Sequence, residues 1–539
     1  MRKSKVLNSV GAVFLSVLLL IGLLPTQVFA ADSIKDAYLL INGQFVTDNN
    51  KDDIYGDGGS VKAAYDADAN QVIVTLTNAD ISRQGVAIQI NSDIPLVINL
   101  VGDNKITVTG TRECIYYNNN LTIQGQGTLL LESKAGNAIA NSSSGDASPL
   151  LVISGVPSLT AKGLYKGIGV VGDVNIENST VTVNAEEDYN PAFEASGEIE
   201  IAGSTVNVTA KGSGTRGIYS MGKSVSISDS DVRVNSVAAA IQSNKDIIVS
   251  GGTLDLSALG EAQNCVNAAG TLRIENGADV TATSYYPALY GSQGMVIADS
   301  RVQAKATNDI GIWTRGDLSV SGNVDIVSNG IAMASGCAFT VTPPAGSLLE
   351  VKTGTSEEDA RHLYDSPFAE ITELPRLDNA YCSIKKHVHM GGIATCKAAA
   401  ICDDCGQSYG MPDPSHHSAL IAVAEKPATC VDQGNSAYWY CSDCGTYFSD
   451  ANCDEVITLE STILKEKGHQ YNNGICTICG AKDPSVQVVD QNKTPQASGQ
   501  STVSSPQTGD SMALGGWLCL LLAVTAVLIG VLYYRKKTQ

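Results

Sequence analysis

The chain has 539 residues, a formal charge of −20, 6% aromatic residues and 52 glycines. The acidic balance argues against nucleic acid or an anionic lipid surface as a partner. Apolar residues recur in register with no long helical periodicity between the termini, which excludes a helical bundle and a disordered chain and points to stacked short strands.

Residues 1–30 begin with Arg2, Lys3 and Lys5, continue with an apolar run over 10–24, and end Val28, Phe29, Ala30. A basic start, a short apolar core and a small residue at the scissile position read as a secretory signal peptide cleaved between Ala30 and Ala31. The apolar run falls short of the roughly 20 residues of a membrane span.

Residues 31–386 are read as one repetitive β domain. From Ile168 onward a unit returns about every 22 to 26 residues, with turn-centred cores at 176–181, 201–206, 227–232, 249–254 and 297–302. An apolar anchor recurs at Ile168, Phe193, Ile218, Ile241, Val266, Leu289 and Ile312. Three short strands per unit at this period predict a right-handed parallel β-helix of about ten coils, on the order of 50 Å long at about 4.8 Å per coil. The rival propeller or sandwich pairs its strands antiparallel and needs longer hairpins. Asn, Asp and Gly at the corners supply residues that tolerate left-handed backbone. Segments 32–84 and 351–384 are expected to cap the two open ends, because unpaired strand edges aggregate.

The stretch 32–385, notably 65–81 and the run from Gly155, resembles the carbohydrate-binding-like and adhesin-like β-helix domains of Gram-positive surface proteins. The resemblance implies a fold more firmly than a ligand.

Parallel β-helices also include polysaccharide lyases and hydrolases. No histidine lies between the signal segment and His362, which removes the commonest acid–base group. Asp173 and Glu198 would lie one coil apart, about 5 Å, the spacing of a retaining glycosidase pair. Their row continues as Lys223, Asp246, Thr271 and Asp317, a mixed edge that suits a solvated surface, or a calcium or substrate contact, better than catalysis. No catalytic residue is assigned. The residue after each anchor should face outward, which places Tyr219, Gln242, Asn267, Tyr290 and Trp313 in one strip. Aromatic faces stack on sugar rings and amides hydrogen-bond their hydroxyls, so the strip suits a glycan; it equally suits a ladder that merely stiffens the sheet.

Residues 387–482 hold most of the 14 cysteines. Cys402 and Cys405, Cys441 and Cys444, and Cys476 and Cys479 form three CxxCG motifs, joined by Cys396, Cys430, His389, His417 and His469. These segments resemble the small zinc-ribbon-like repeats of clostridial-type surface proteins. Thiolates and imidazoles at this spacing suit a closed, structural zinc site, while a secreted chain could instead staple them as disulfides or leave them as thiols. The expected sets are His389, Cys396, Cys402 and Cys405, then Cys430, Cys441 and Cys444 with His417 or His469. Cys476 and Cys479 with His469 would make an incomplete third set. Cys382 and Cys453 fit none.

Residues 483–504 read as a flexible spacer rich in Gln, Ser, Thr and Pro. In 505–539, Ser505, Pro506, Gln507, Thr508 and Gly509 precede an apolar stretch over 512–534 and then Arg535, Lys536 and Lys537. This resembles the LPxTG cell-wall sorting signal, with Ser505 where Leu is usual, and the apolar stretch is read as a transmembrane helix. The resemblance implies cleavage by a sortase after Thr508 and covalent attachment of Thr508 to peptidoglycan. The expectation is a secreted, wall-anchored, non-enzymatic adhesin or rod binding a glycan or host surface ligand, with a polysaccharide-active enzyme second and a structural stalk third.

Overall fold

Alternation of apolar and polar residues sends every second side chain of a strand to the same face. In the coil formed by strands Asp173–Glu177, Thr180–Ala185 and Phe193–Ala195, this rule buries Val174, Ile176, Val181, Val183 and Phe193. The next coil lies parallel and in register, Ile176 on Ile201, Val181 on Val206 and Phe193 on Ile218. Each buried Ile or Val contributes about 1.5–3 kcal/mol through area removed from water, and stacking like on like keeps the interior filled from coil to coil.

The computed structural model describes residues 33–142, 148–261, 263–363 and 377–486, the side chains of 377–380 excepted. The repeats stack into a 26-stranded and a 13-stranded sheet, a parallel β-solenoid of about 11 turns. All seven anchors, from Ile168 to Ile312, are buried in one continuous core.

The corners follow from local chemistry. Asn178, Gly203, Asp229, Gly251 and Asp299 occupy the same turn position with φ of 47, 57, 46, 73 and 48°. Only Gly, Asn and Asp adopt this left-handed region readily. The next position holds a buried serine ladder. Ser179, Ser204 and Ser230 each donate the hydroxyl to the carbonyl two residues earlier, at 2.7, 2.8 and 2.7 Å. Each hydroxyl also accepts the backbone N–H of the preceding coil, Val156, Ser179 and Ser204 respectively.

Antiparallel strands cover both ends. Leu39–Ile41 pairs with Ile88–Ile90, and Val61–Asp66 with Gln71–Thr77. Parallel stacking starts at Gln71–Thr77, inside the segment read as a cap, so the cap is shorter than expected and the solenoid about one turn longer than ten. The alternating pattern at 71–77 serves a coil as well as a cap, and sequence does not distinguish them. At the other end Leu377–Lys386 runs antiparallel to Asp325–Met333 and to Leu349–Gly354. Cys382 lies buried on this closing strand, and burial pushes its thiol up to about 12.

The chain divides into two units, Met1–His416 and His417–Gln539. The second contains short antiparallel pieces, the largest joining Leu420–Val423, Tyr438–Cys441, Tyr447–Phe448 and Val456–Ile457. Its buried side chains among the described residues are Ala428, Cys430, Cys441, Phe448, Thr462 and Cys476, too few for a hydrophobic core. Among the described residues no helix is long and apolar enough to cross a membrane. Residues 1–30, read as a signal peptide, together with Ala31, most of the segment read as a spacer, the pentapeptide Ser505 to Gly509 and the apolar stretch 512–534, lie outside the described residues.

Candidate ligand face and metal centres

The outward ladder is continuous. Tyr219 pairs with Gln242, Gln242 with Asn267, Asn267 with Tyr290, and Tyr290 with Trp313, each one coil from the next. All five side chains are half-buried. The Tyr290 and Trp313 rings are 5.1 Å apart at 36°. Arg315 lies over Trp313 at 5.5 Å, and Arg216 lies over Tyr219 at 5.0 Å while its Nε donates to Gln242 at 2.6 Å. The strip is therefore an aromatic and amide surface bordered by guanidinium groups, donors and stacking planes that suit a hydroxylated ring.

A cleft of about 450 Å³ lies on the last coils, lined by Thr281, Thr283, Gln303, Lys305, Asn329 and Tyr381 among others. Sequence reasoning missed it. Its floor is legible as outward rows, but Tyr381 arrives through the antiparallel register of the closing strand, opposite Gly354.

The carboxylate row serves the backbone. Asp173 Oδ1 accepts the N–H of Glu198 at 2.7 Å and pairs with Lys223 Nζ at 2.9 Å. Asp246 accepts the N–H of Thr271, and Asp317 that of Ala338, each one coil further on. These oxygens close corners.

The three CxxCG motifs fold identically. The glycine N–H donates back to the first cysteine carbonyl, Gly406 to Cys402, Gly445 to Cys441 and Gly480 to Cys476, at 2.8–2.9 Å. Gly406, Gly445 and Gly480 have φ of 68, 76 and 75°, conformations that a side chain would strain.

The groups the motifs build differ from those the spacing suggests. The first is His387, His389, Cys402 and Cys405, with ligand atoms within 4.8 Å of one another. His387 replaces the expected Cys396: its ring lies 4.9 Å from that of His389, while Val388 between them is exposed, so both histidines face one side. His387 Nε2 lies 3.4 Å from Cys402 Sγ and His389 Nδ1 3.2 Å from Cys405 Sγ. In the second unit, His417 joins Cys441 and Cys444, its Nδ1 3.5 Å from Cys444 Sγ. The neighbouring His416 ring meets the Ala394 carbonyl instead.

Cys430 was expected beside Cys441 and Cys444, but it stands with His469, Cys476 and Cys479. Pairing of Gly434–Asn435 with Ile463–Leu464, and the Lys467 N–H on the Thr429 carbonyl, hold Cys430 next to His469. The third set is thus four-membered, not incomplete. His389 stacks on Tyr409, His417 packs on Phe448 and His469 stacks on Tyr471, which limits rotation of each ring.

These spacings suit a metal. A tetrahedral ion with Zn–S bonds of about 2.3 Å holds its ligand atoms roughly 3.8 Å apart. Cys430 Sγ and Cys476 Sγ are 3.7 Å apart, whereas a disulfide requires about 2.05 Å. Burial raises the Cys402 thiol, but amides of Cys405 and Met390 and the rings of His389 and His387 outweigh it and bring it to about 5. Burial likewise raises Cys476, and amides of Cys479 and Ile478 with His469 reverse this, again to about 5. Cys430 is pushed up to about 12 by burial and then by Cys479 and Cys476, a crowding of sulfurs that a cation relieves. Cys453 stands outside all three groups, at φ 64°.

No curated protein and no solved structure matches the chain. A family model described as "Carbohydrate-binding domain-containing protein" matches residues 143–331, and this match and the β-solenoid together fit a carbohydrate-binding β-helix.

Proposed function

We propose that the chain is a secreted, wall-anchored, non-enzymatic rod that binds a glycan through its outward aromatic and amide ladder. One coincidence carries the proposal: the segment similar to carbohydrate-binding domains, 143–331, contains every residue of the ladder from Tyr219 to Trp313. Sugar recognition needs flat apolar faces beside fixed polar groups, and the ladder offers both along neighbouring coils. The test is a glycan array probed with the purified chain and with Tyr290→Ala and Trp313→Ala variants. Selective hits that the variants lose support binding. Release of products from a polysaccharide makes the rod an enzyme, and an array without hits leaves a structural stalk.

The Cys/His groups, in this proposal, hold structural zinc: His387, His389, Cys402 and Cys405 in the first, His417, Cys441 and Cys444 in the second, and Cys430, His469, Cys476 and Cys479 in the third. The four-membered donor sets of the first and third groups leave no open position and favour a structural ion, which when bound supplies cross-links that a small apolar core cannot. Anchoring rests on Ser505, Pro506, Gln507, Thr508 and Gly509, with a sortase joining Thr508 to peptidoglycan. Sequencing C-terminal peptides released from digested walls tests it; recovery of an intact Thr508-Gly509 bond in the mature protein overturns the anchor.

A further inference from the structure

The first Cys/His group does not stand free of the solenoid. His387 follows directly on the closing strand Leu377–Lys386, and its N–H continues the ladder to the Leu348 carbonyl at 2.9 Å. Glu350 lies on the neighbouring strand opposite Lys385, so Glu350, Lys385 and His387 share one face. A diagonal neighbour at this register is within reach of a long side chain. Glu350 Oε2 is 3.2 Å from His387 Nδ1, while His387 Nε2 points to Cys402 Sγ at 3.4 Å. His387 is 4% exposed, so its ring is held between these two contacts.

We infer that Glu350, on the closing strands of the β-solenoid, is the outer partner that fixes the tautomer and orientation of His387 in the first metal centre, so that loading this centre fastens it to the end of the solenoid. The chemistry follows from the two ring nitrogens. A carboxylate accepts from Nδ1–H, which leaves the Nε2 lone pair directed at the donor set. Imidazole ligands backed by a carboxylate are better oriented and more basic, and loss of such a partner typically costs about 10–100-fold in metal affinity. Glu350 also meets Lys352 Nζ at 2.9 Å and His362 Nε2 at 3.4 Å, which hold the carboxylate in place. The other two groups show no such carboxylate contact to their histidines among the described hydrogen bonds and ion pairs, so the coupling belongs to the first.

This inference rests on the zinc reading, and the experiment separates the two. Zinc is titrated out of the full chain with a chromophoric chelator, for wild type, Glu350→Gln, Glu186→Gln, Cys402→Ser and the Glu350→Gln/Cys402→Ser pair. Cobalt in place of zinc reports each thiolate-ligated centre by its visible absorption. Glu350→Gln is expected to weaken one class of bound zinc about 10–100-fold, to leave the remaining zinc unchanged, and to have no further effect once Cys402→Ser has removed the first centre. Glu186→Gln, which removes an exposed carboxylate paired with Lys211 on an earlier coil and outside every contact of the first centre, is expected to bind zinc as wild type does. Far-ultraviolet circular dichroism verifies that each variant keeps its β structure. Wild-type zinc affinity in a folded Glu350→Gln variant overturns the inference and leaves the zinc reading standing. A loss that persists in the Cys402→Ser background overturns it as well. A wild-type chain that binds no zinc removes both.

Discussion

Cys430 and Cys476 are 46 positions apart in sequence, yet their sulfurs lie 3.7 Å from each other. The first cysteine of one repeat therefore completes the donor set of the next, and the two repeats close on each other. Cys430→Ser is expected to remove one zinc equivalent from the chain and to lower the metal-dependent melting step. Cys453→Ser, outside every group, should change neither. Metal content measured on protein purified without reductant decides the matter. A native Cys476–Cys479 disulfide, with no bound metal and a fold indifferent to chelator, would sink the zinc reading.

This sharing shows where sequence reasoning stopped. The inward and outward faces of the solenoid were legible, because a period of two leaves each strand one way to bury Ile227 and expose Ser226. The corner residues were legible too, since few side chains tolerate left-handed backbone. The donor grouping was not. Cys430 is nearest in sequence to Cys441, and only the pairing of Gly434–Asn435 with Ile463–Leu464 carries it elsewhere. His387 escaped notice because its role depends on where the closing strand ends, and Tyr381 joined the cleft through that same strand.

The face assignment is open to direct test. Ile227 is 1% exposed and stacks between Ile201 and Val249. Ile227→Asp places an unpaired carboxylate in that column and should cost on the order of 4 kcal/mol. Ser226 lies on the outer face of the same strand opposite Glu200, and Ser226→Asn, which adds a polar side chain without a charge, should remain within about 0.5 kcal/mol. Chemical denaturation of the two variants measures both; equal midpoints would contradict the assignment.

Glu200 supplies a pH test. Burial, and then the carboxylates of Glu198 and Glu177, raise its pKa above the ordinary 4.5. A raised carboxyl pKa means that the folded chain holds its proton to higher pH than the unfolded chain does. The group therefore favours folding while both forms are protonated, and that advantage is lost as pH rises through the folded value. Glu200→Gln should raise the melting temperature at neutral pH, with a gain that shrinks as the pH falls below the ordinary carboxylate range. A gain that does not vary with pH would place its origin in packing instead of charge.

The serine corner yields two substitutions, and similarity between repeats would misjudge the second. Ser204 Oγ accepts the buried N–H of Ser179 at 3.1 Å and donates to the Ala202 carbonyl at 2.8 Å. Ser204→Ala leaves that buried N–H without its partner, which costs about 1–3 kcal/mol. Gly252 occupies the equivalent corner one coil beyond Ser230, so repeat consensus suggests that Gly252→Ser would extend the ladder and stabilise the chain. The backbone argues the opposite. Gly252 has φ of 72°, and a Cβ there would lie 2.2 Å from the Ser230 carbonyl oxygen. That oxygen already accepts the Thr253 N–H at 2.9 Å, so it cannot withdraw without breaking the ladder. Gly252→Ser should therefore destabilise the solenoid despite matching its neighbours. Thermal melts of Ser204→Ala and Gly252→Ser should both fall below wild type, and a Gly252→Ser variant as stable as wild type would refute the steric account of this corner.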